Sequence, residues 1–294
     1  MSRTGIFLTY FQGQRLRDFP EALGDLLSRD NVFYYDAVYS SWDGLYYLKP
    51  ASEALLERVH SREMIARVRS TGDYESALYS AGGTVQAAEE IWRGDIDNAF
   101  IFTSFGDHHA GRDFFGGMCY FNGAALAIAA LRSQGMVRSI IVDTDAHHAD
   151  GTRDIFGSDS DVLHVCLCSQ GLEDDLGNID VPIPPTTTDD EYLGMLKRAL
   201  VPRALDFQPE VIFWEFGYDG TQGEYGDRGL SPDCHIRIAG MIKDVADKVC
   251  GGRLVAILCG GSGRRTASYT IPRIIDCLAG GKDNHDREVD LGSE

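Results

Sequence analysis

The chain has 294 residues, of which 44% are hydrophobic and 24% are charged, and this composition excludes an intrinsically disordered protein. Its 27 Lys and Arg residues against 45 Asp and Glu residues give a net charge of −18. No long run of basic residues offsets this charge, so we expect no nucleic-acid partner, whereas a cationic substrate would be tolerated.

The seven cysteines are scattered and form no Cys-x-x-Cys pair, which predicts reduced thiols in a cytoplasmic protein. The N-terminal apolar run is interrupted by Gln, Arg and Asp and is too short for a signal-peptide core. No stretch approaches the ~20 apolar residues of a membrane span. We therefore expect a cytoplasmic protein with no membrane partner.

Short apolar runs alternate with segments of helical periodicity along most of the chain. The predicted elements are, in order, a strand at 5–10, helices at 51–60 and 83–93, a strand at 99–103, a helix at 123–133, strands at 139–143 and 162–168, a helix at 189–206, a strand at 211–216, a helix at 233–249 and a strand at 253–259. The strands are almost continuously apolar, as in strands buried on both faces. This alternation predicts an α/β fold: a single domain over 1–294, in three layers, with a mainly parallel central sheet flanked by helices and a polar tail from about 280.

Polar segments follow four of these strands at their carboxyl ends, where ligands gather in an open parallel sheet. The strand at 99–103 is followed by His108 and His109, and the strand at 139–143 leads into DTDAHHADG. Asp219 follows the strand at 211–216, and a glycine-rich turn, GGSGRR, follows the last strand. We expect these segments to form one site.

Asp145 and His147 are two residues apart, so on an extended segment their side chains point to the same side and can converge on one cation. Asp219, from another strand end, would supply a third ligand. Three protein ligands with an open position are typical of a catalytic Zn²⁺ site. Taken alone, DTDAHHAD would be interpreted as a turn and cap cluster; the other polar strand ends reverse that preference.

The tandem pair His108 and His109 would be costly to bury unless both rings were hydrogen-bonded. Asp143 and Asp150 flank the proposed ligands and are the obvious partners. His–Asp dyads can provide a general base and a general acid near neutral pH.

The ordered motifs GDHHAGRDFFGGMCYFNGAALAIAAL, IIVDTDAHHADGTRDIF, VLHVCLC, IDVPIPPTTTDDEY and PEVIFWEFGYDG resemble those of the histone deacetylase family, which includes acetylpolyamine amidohydrolases. The resemblance covers roughly residues 55–278. It implies an arginase/deacetylase-like fold and a zinc-dependent amidohydrolase, with Fe²⁺ as an alternative metal. Such an enzyme hydrolyses the N-acyl group, above all the N-acetyl group, of a small-molecule or peptide acylated amine to a carboxylate and a free amine.

The resemblance also implies roles for individual residues. It assigns catalytic roles to His108, His109, Asp143 and Asp150, metal binding to Asp145, His147 and Asp219, and the wall of the acyl channel to Gly117 and Met118. Cys166 and Leu167 lie where family members bind a structural monovalent cation, K⁺ or Na⁺, through backbone carbonyls. Related prokaryotic enzymes are often oligomers, so a homo-oligomer is an open alternative.

One departure from the family is a missing tyrosine. In the family, the hydroxyl of this tyrosine supports the tetrahedral oxyanion, whereas this chain has Gly263 at the same position. Loss of one such donor typically lowers the rate by about 10²–10³. We expect Arg264 or Arg265 to supply the donor or to bind an anionic part of the substrate. Tyr218 and Tyr225 are weaker candidates.

A second departure concerns the acyl channel. Met118 replaces the usual Phe, and the segment 169–180, SQGLEDDLGNID, contains no aromatic residue. These changes argue against an acetyl-lysine protein as the substrate. The acidic residues Glu173, Asp174 and Asp175 in this segment either meet a polyamine cation or form a solvated loop.

Two other functions remain open. FGDHHA and DAHHAD loosely resemble motifs of binuclear manganese ureohydrolases, but a second metal would require another carboxylate beside Asp219, where the sequence reads Asp-Gly-Thr. Without the tyrosine, the chain could also be a catalytically weak, metal-holding protein that binds acyl amines.

The GGSGRR turn lacks the spacing of a dinucleotide-binding loop. We interpret His60, His164 and His235 as structural, and His285 lies in the polar tail.

Overall fold

Ten strands and eight α-helices lie within the residues that the computed structural model describes, which are 1–9, 23–36 and 46–281. The strands are β1 (Thr4–Leu8), β2 (Val32–Asp36), β3 (Tyr46–Tyr47), β4 (Asn98–Phe102), β5 (Ser139–Asp143), β6 (Val162–Cys168), β7 (Leu172–Glu173), β8 (Ile179–Pro182), β9 (Val211–Phe216) and β10 (Leu254–Leu258). The helices are α1 (Glu53–Val59), α2 (Arg62–Arg69), α3 (Tyr74–Arg93), α4 (Gly123–Arg132), α5 (Asp150–Phe156), α6 (Asp189–Phe207), α7 (Pro232–Cys250) and α8 (Arg264–Leu278).

The strands form one sheet in the order β3-β2-β1-β4-β10-β9-β5-β6-β8-β7. Every neighbouring pair is parallel except β7 and β8, which run antiparallel at one edge. Because β4, β10, β9, β5 and β6 are consecutive and parallel, their carboxyl ends meet at one edge of the sheet. This edge brings the polar segments of the sequence together.

Both faces of the sheet are buried. Along β4, Phe100 and Phe102 belong to one hydrophobic cluster and Ala99 and Ile101 to the other, as alternation along a strand requires. Helices α6, α7 and α8 cover the first face, and α1 to α4 cover the second. The prediction of a three-layer α/β fold with a mainly parallel sheet is confirmed.

Most of the predicted elements lie where we expect them. The strands at 139–143, 162–168 and 211–216 have the predicted bounds, and the first strand ends at Leu8. Residue 10 of that prediction, and residues 282–294 of the predicted tail with His285, lie outside the described residues. The single-domain prediction for 1–294 stays a prediction.

The predicted helix at 83–93 is wrong at its start, since α3 begins nine residues earlier, at Tyr74. Two consecutive glycines in its middle weaken the helical pattern of the sequence. The structure explains Gly82, because a Cβ there would overlap the Lys49 carbonyl of the segment packed across the helix. Close packing, rather than a helix boundary, therefore accounts for this glycine.

None of the helices in the described ranges combines the length and the apolar character needed to cross a bilayer.

Candidate active site

The tandem histidines each bind one carboxylate through Nδ1. In the loop after β4, His108 Nδ1 lies 2.7 Å from Asp143 Oδ2, and His109 Nδ1 lies 2.6 Å from Asp150 Oδ1. The two rings are 4.2 Å apart between centroids. His108 is buried, whereas His109 is partly exposed. The structure thus forms both His–Asp dyads that the sequence predicts.

The two dyads differ electrostatically. Burial opposes a charge on His108, but the Asp143 carboxylate and then Asp145 outweigh it and raise the pKa of His108 well above its usual value. Burial and the nearby His108 lower the pKa of His109. Neighbouring groups in one site therefore have pKa values displaced in opposite directions, a common property of acid–base sites.

The loop that carries the pair is fixed to the start of α4 by Asp107. Its buried carboxylate accepts the backbone N–H groups of Gly123 and, at 3.0 Å, of Ala124, which are the first two residues of the helix. Such N–H groups have no partner within the helix, so the carboxylate satisfies them. Burial raises the pKa of Asp107 to about 7 despite these bonds.

His60 fixes the same loop from the other side. Its Nδ1 lies 2.8 Å from the Gly111 carbonyl oxygen, and its Nε2 accepts the N–H of Asn122 at 3.1 Å. Since Nε2 accepts a hydrogen bond, Nδ1 carries the only ring proton and the ring is neutral. Burial lowers the pKa of His60 to about 4. His60 is therefore structural, and protonation of its ring would break the contact with Asn122.

This arrangement predicts that the free energy of unfolding decreases on acidification. The unfolded chain binds a proton at His60 near pH 6.5 and the folded chain only near pH 4, so the His60 contribution is complete above pH 6.5 and is lost between these values. The loss amounts to up to about 3 kcal/mol. Denaturant unfolding across this range should give a shallower pH dependence for His60→Gln than for the unsubstituted chain. Equal slopes would contradict the assignment.

Asp145, His147 and Asp219 converge at the carboxyl ends of β5 and β9. His147 Nδ1 lies 2.9 Å from Asp145 Oδ1 and 2.9 Å from Asp219 Oδ2, and one ligand atom from each residue lies within 4.8 Å of the others. The buried Asp145 Oδ2 has no hydrogen-bond partner among the described residues. The two carboxylates raise the pKa of His147 to about 10, so the site favours a positive charge. These properties fit a bound divalent cation.

Glycines make room for these carboxylates. A Cβ on Gly217 would lie 2.5 Å from Asp145 Oδ2, and one on Gly226 would lie 2.7 Å from Asp219 Oδ2. A Cβ on Gly260 would overlap Asp145 Oδ2. Glycine at these three positions therefore keeps the space around the ligand atoms open.

The glycine-rich turn after β10 is held by the loop that follows Asp219. Glu224 accepts the backbone N–H groups of Ser262 and Gly263 at 3.1 and 3.0 Å, and Tyr225 Oη accepts the N–H of Gly261 at 2.9 Å. The Tyr225 ring lies 5.6 Å from the His147 ring, between centroids. A Cβ on Gly260 would be 3.0 Å from Tyr225 Oη, so this oxygen borders the space around the ligand carboxylates.

Arg264, the preferred candidate for the missing oxyanion donor, is the first residue of α8, and its side chain is exposed. Tyr218 is buried under Gly261, where a Cβ would overlap its ring. Among the candidates for the oxyanion donor, the structure brings the Tyr225 hydroxyl beside the ligand carboxylates.

Sequence reasoning missed a buried polar network beneath the dyads. Glu215 is fully buried in β9, and its Oε1 accepts the hydroxyl of Thr152 at 2.9 Å; Thr152 Oγ1 in turn accepts Asn122 Nδ2 at 2.9 Å. Burial and the charges of Asp143 and Asp107 raise the pKa of Glu215 well above its usual value. A glutamate in the otherwise apolar run VIFWEF was the signal that could have indicated it.

The predicted channel residues lie beside His109. A Cβ on Gly117 would overlap the His109 ring, so this glycine packs directly against the dyad. Met118 is 65% exposed and has a positive φ of 62°. It therefore lies at the rim of the site rather than in a closed wall.

The acidic segment 169–180 is largely paired within the chain. Glu173 pairs with Arg203, and Asp174 Oδ2 lies 3.1 Å from Arg153 Nη1. These pairs engage two of the three carboxylates that a polyamine cation would meet.

The chain is similar in sequence to known deacetylases and amidohydrolases. The chain is 32% identical over 229 residues to a probable deacetylase of Archaeoglobus fulgidus, covering 71% of this chain and 62% of that protein. It is 28% identical over 263 residues to a histone deacetylase-like amidohydrolase of Pseudomonas aeruginosa, covering 79% and 69% respectively. The crystal structure of the HDA15 HD domain superposes with a TM-score of 0.80 at 23% identity, covering 96% of this chain and 91% of that one, and shows the same fold.

The family model of the histone deacetylase domain matches residues 39–278. This range contains both His–Asp dyads, the three convergent ligands and the glycine-rich turn. The chain therefore belongs to the histone deacetylase domain family.

Proposed function

We propose that this protein is a metal-dependent amidohydrolase that hydrolyses an N-acyl amine, with acetyl as the leading acyl group, to a carboxylate and a free amine. One observation carries the proposal: the His108–Asp143 dyad adjoins the ligand cluster, with His108 Nε2 3.8 Å from Asp145 Oδ1. A proton-transfer group and a cation site thus lie next to each other. The family and the names of the curated relatives support the same reaction class.

Asp145, His147 and Asp219 are proposed to hold the metal. Two carboxylates and one imidazole suit Zn²⁺, and Fe²⁺ is the alternative. A divalent cation at this position would polarise the acyl carbonyl and lower the pKa of a bound water molecule.

His108 and His109 are proposed to move the protons. Asp143 and Asp150 engage the Nδ1 atoms, which fixes the ring orientations and leaves each Nε2 as the nitrogen that can meet the reacting groups. The pair then removes a proton from water and delivers one to the leaving amine.

We propose Tyr225 as the donor to the oxyanion, in the place of the tyrosine that the glycine-rich turn lacks. Support comes from the position of its hydroxyl oxygen beside Gly260 and from the hydrogen bond that this oxygen accepts from Gly261. A hydrogen bond accepted by a hydroxyl oxygen strengthens the same hydroxyl as a donor. The exposed Arg264 then keeps the other role considered for it, which is binding an anionic part of the substrate.

The proposed substrate is a small-molecule acylated amine rather than an acetyl-lysine protein. The exposure of Met118 and the absence of an aromatic residue from the segment 169–180 leave the acyl channel without the paired aromatic walls that grip a lysine stem. The cytoplasmic location, a structural K⁺ or Na⁺ at Cys166 and Leu167, and a homo-oligomer stay predictions.

The test is a hydrolysis panel on protein with a defined metal content. The panel covers acetyl-lysine peptides, acetylpolyamines and small N-acyl amino compounds, each with Zn²⁺ and with Fe²⁺. Release of free amine from at least one class, lost in Asp145→Asn, is the expected result. Failure of every class with both metals would contradict the amidohydrolase proposal.

The ureohydrolase alternative is disfavoured by the residue at position 221. A second manganese ion would require a carboxylate there, but the residue is Thr221, whose Oγ1 lies 2.8 Å from His235 Nε2. Turnover of arginine or agmatine with two Mn²⁺ per chain would reverse this conclusion.

A further inference from the structure

A second group of metal-ligating side chains lies beside the candidate active site, on β6, on β8 and in the segment that follows β5. Its members are His148, Cys166, Cys168 and Asp180, and one potential ligand atom from each lies within 4.8 Å of the others. We call this group the thiol cluster. Neither the proposed mechanism nor the predicted monovalent cation, which would bind backbone carbonyls, uses these side chains.

Local structure explains why the four side chains meet. Cys166 and Cys168 are two residues apart on β6, so both side chains point to the same face of the sheet. Asp180 is opposite Cys166 on the neighbouring parallel strand β8. His148, in the segment between β5 and α5, lies over this pair, with its Nδ1 3.6 Å from Cys168 Sγ.

The distances match the ligands of one ion. Sulfur and nitrogen ligands of a tetrahedral Zn²⁺ lie ~3.5 Å apart when the bond lengths are about 2.3 and 2.0 Å. The distance from His148 Nδ1 to Cys168 Sγ is 3.6 Å, and the distance to Asp180 Oδ1 is 4.0 Å. Small side-chain movements would therefore suffice to close four ligands around an ion.

The cluster also contains a carboxylate with one unsatisfied oxygen. Asp180 is 2% exposed, and its Oδ1 has no hydrogen-bond partner within the described part of the chain. A buried carboxylate oxygen without a partner is costly, and coordination of a cation would remove that cost. This observation indicates a ligand independently of the two thiols.

The neighbouring Arg153 places a positive charge beside the cluster. Its Nη2 lies 2.8 Å from Asp180 Oδ2, and its side chain is largely buried. Two thiolates and one carboxylate around a divalent ion leave a net charge of −1, which the guanidinium, also paired with Asp174, partly offsets. Arg153 would then hold the ligating carboxylate in place, as groups behind metal ligands commonly do.

The thiolate is the form of cysteine that binds metals, so binding of the ion would be accompanied by loss of the thiol protons of Cys166 and Cys168.

We propose that His148, Cys166, Cys168 and Asp180 bind a structural Zn²⁺, distinct from the ion held by Asp145, His147 and Asp219. Four protein ligands and little solvent access are typical of structural rather than catalytic zinc. His148 directly follows the ligand His147, and Asp150 follows two residues later. Metal binding at the thiol cluster would therefore fix the segment that carries both a catalytic-metal ligand and the His109 partner.

The test uses cobalt, because thiolate-to-cobalt charge transfer absorbs in the near ultraviolet and the catalytic ligands include no thiolate. The full-length chain is stripped of metal with a chelator and titrated with Co²⁺, and bound cobalt is measured by elemental analysis. We expect two Co²⁺ per chain and a thiolate band. Cys168→Ser should bind one Co²⁺ and lose the band.

Two further variants separate this proposal from the proposed function. Asp145→Asn should lose the catalytic Co²⁺ and keep the thiolate band, whereas Cys250→Ser, which removes a buried thiol outside the cluster, should match the unsubstituted chain. Co²⁺ binding to the unsubstituted chain without a thiolate band would overturn the proposal, even if Cys168→Ser failed to fold. A band that persists unchanged in folded Cys168→Ser would also overturn it.

Discussion

Replacing Tyr225 with Phe is expected to lower kcat for amide hydrolysis by about 10²–10³, or ~3–4 kcal/mol of transition-state stabilisation. The substitution removes only the hydroxyl, which borders the space around Asp145 and Asp219. Because a donor to the oxyanion acts in the transition state, KM should change little. Steady-state kinetics on the best substrate of the panel measures both quantities.

The matched variant for this experiment is Arg264→Met. If Arg264 binds an anionic part of the substrate, its loss should raise KM and leave kcat nearly unchanged. Because Tyr225 also accepts the Gly261 N–H, metal content should be compared between the variants to show that the site is intact. A kcat that Tyr225→Phe leaves unchanged and Arg264→Met reduces would return the oxyanion role to the arginine.

Replacing Gly260 with Ala is expected to abolish most of the metal binding and to lower kcat/KM by at least about 10²-fold. The added Cβ would overlap Asp145 Oδ2 and would lie 3.0 Å from Asp219 Cγ. Asp145 Oδ1 accepts the N–H of His147 and Asp219 Oδ1 accepts that of Ala146, so turning either carboxylate away would break one of these hydrogen bonds. Displacement of reacting groups by about 1 Å can cost this factor.

Gly116→Ala provides the control for that substitution. Gly116 lies in the His-pair loop, and a Cβ there would meet no atom within 4 Å. Metal content and kcat/KM of this variant should therefore remain close to those of the unsubstituted chain. Equal effects of the two substitutions would show that the loss reflects a general sensitivity to added side chains.

The sequence predicts the central strands well because burial on both faces makes them continuously apolar. The ends of the strands VIFWEF and VLHVCLC can be predicted from the sequence, since each apolar run stops where polar residues begin. The short strands β3 and β7 have two residues each and carry no such signal. Helix α8 was missed because Pro272 lies inside it and because a glycine-rich turn precedes it.

The site residues also divide into those that a local sequence pattern predicts and those that it does not. Asp145 and His147 are close in the sequence, and strand ends in a parallel sheet share one edge, so spacing and topology suffice to associate them with Asp219. Tyr225 is different, because its relation to the glycine-rich turn depends on how two loops from separate strands pack together. No local pattern records such packing, and the sequence therefore favoured the adjacent Arg264.

The thiol cluster illustrates a further limit of sequence reasoning. Its ligands have the spacing Cys-x-Cys with His148 and Asp180 on different elements, which matches no common zinc motif. The sequence therefore favoured interpreting the cysteines as scattered reduced thiols. The pairing of β6 with β8 determines which carboxylate faces them.

The most direct test of the central claim is a titration of metal-free protein with Zn²⁺ while release of free amine from an N-acyl amine is followed. We predict that the unsubstituted chain becomes active as metal is added and that Asp145→Asn stays inactive at every metal concentration. Cys168→Ser should regain activity with metal, although it binds one equivalent fewer. Amine release by the metal-free protein, or undiminished release by Asp145→Asn, would contradict the account.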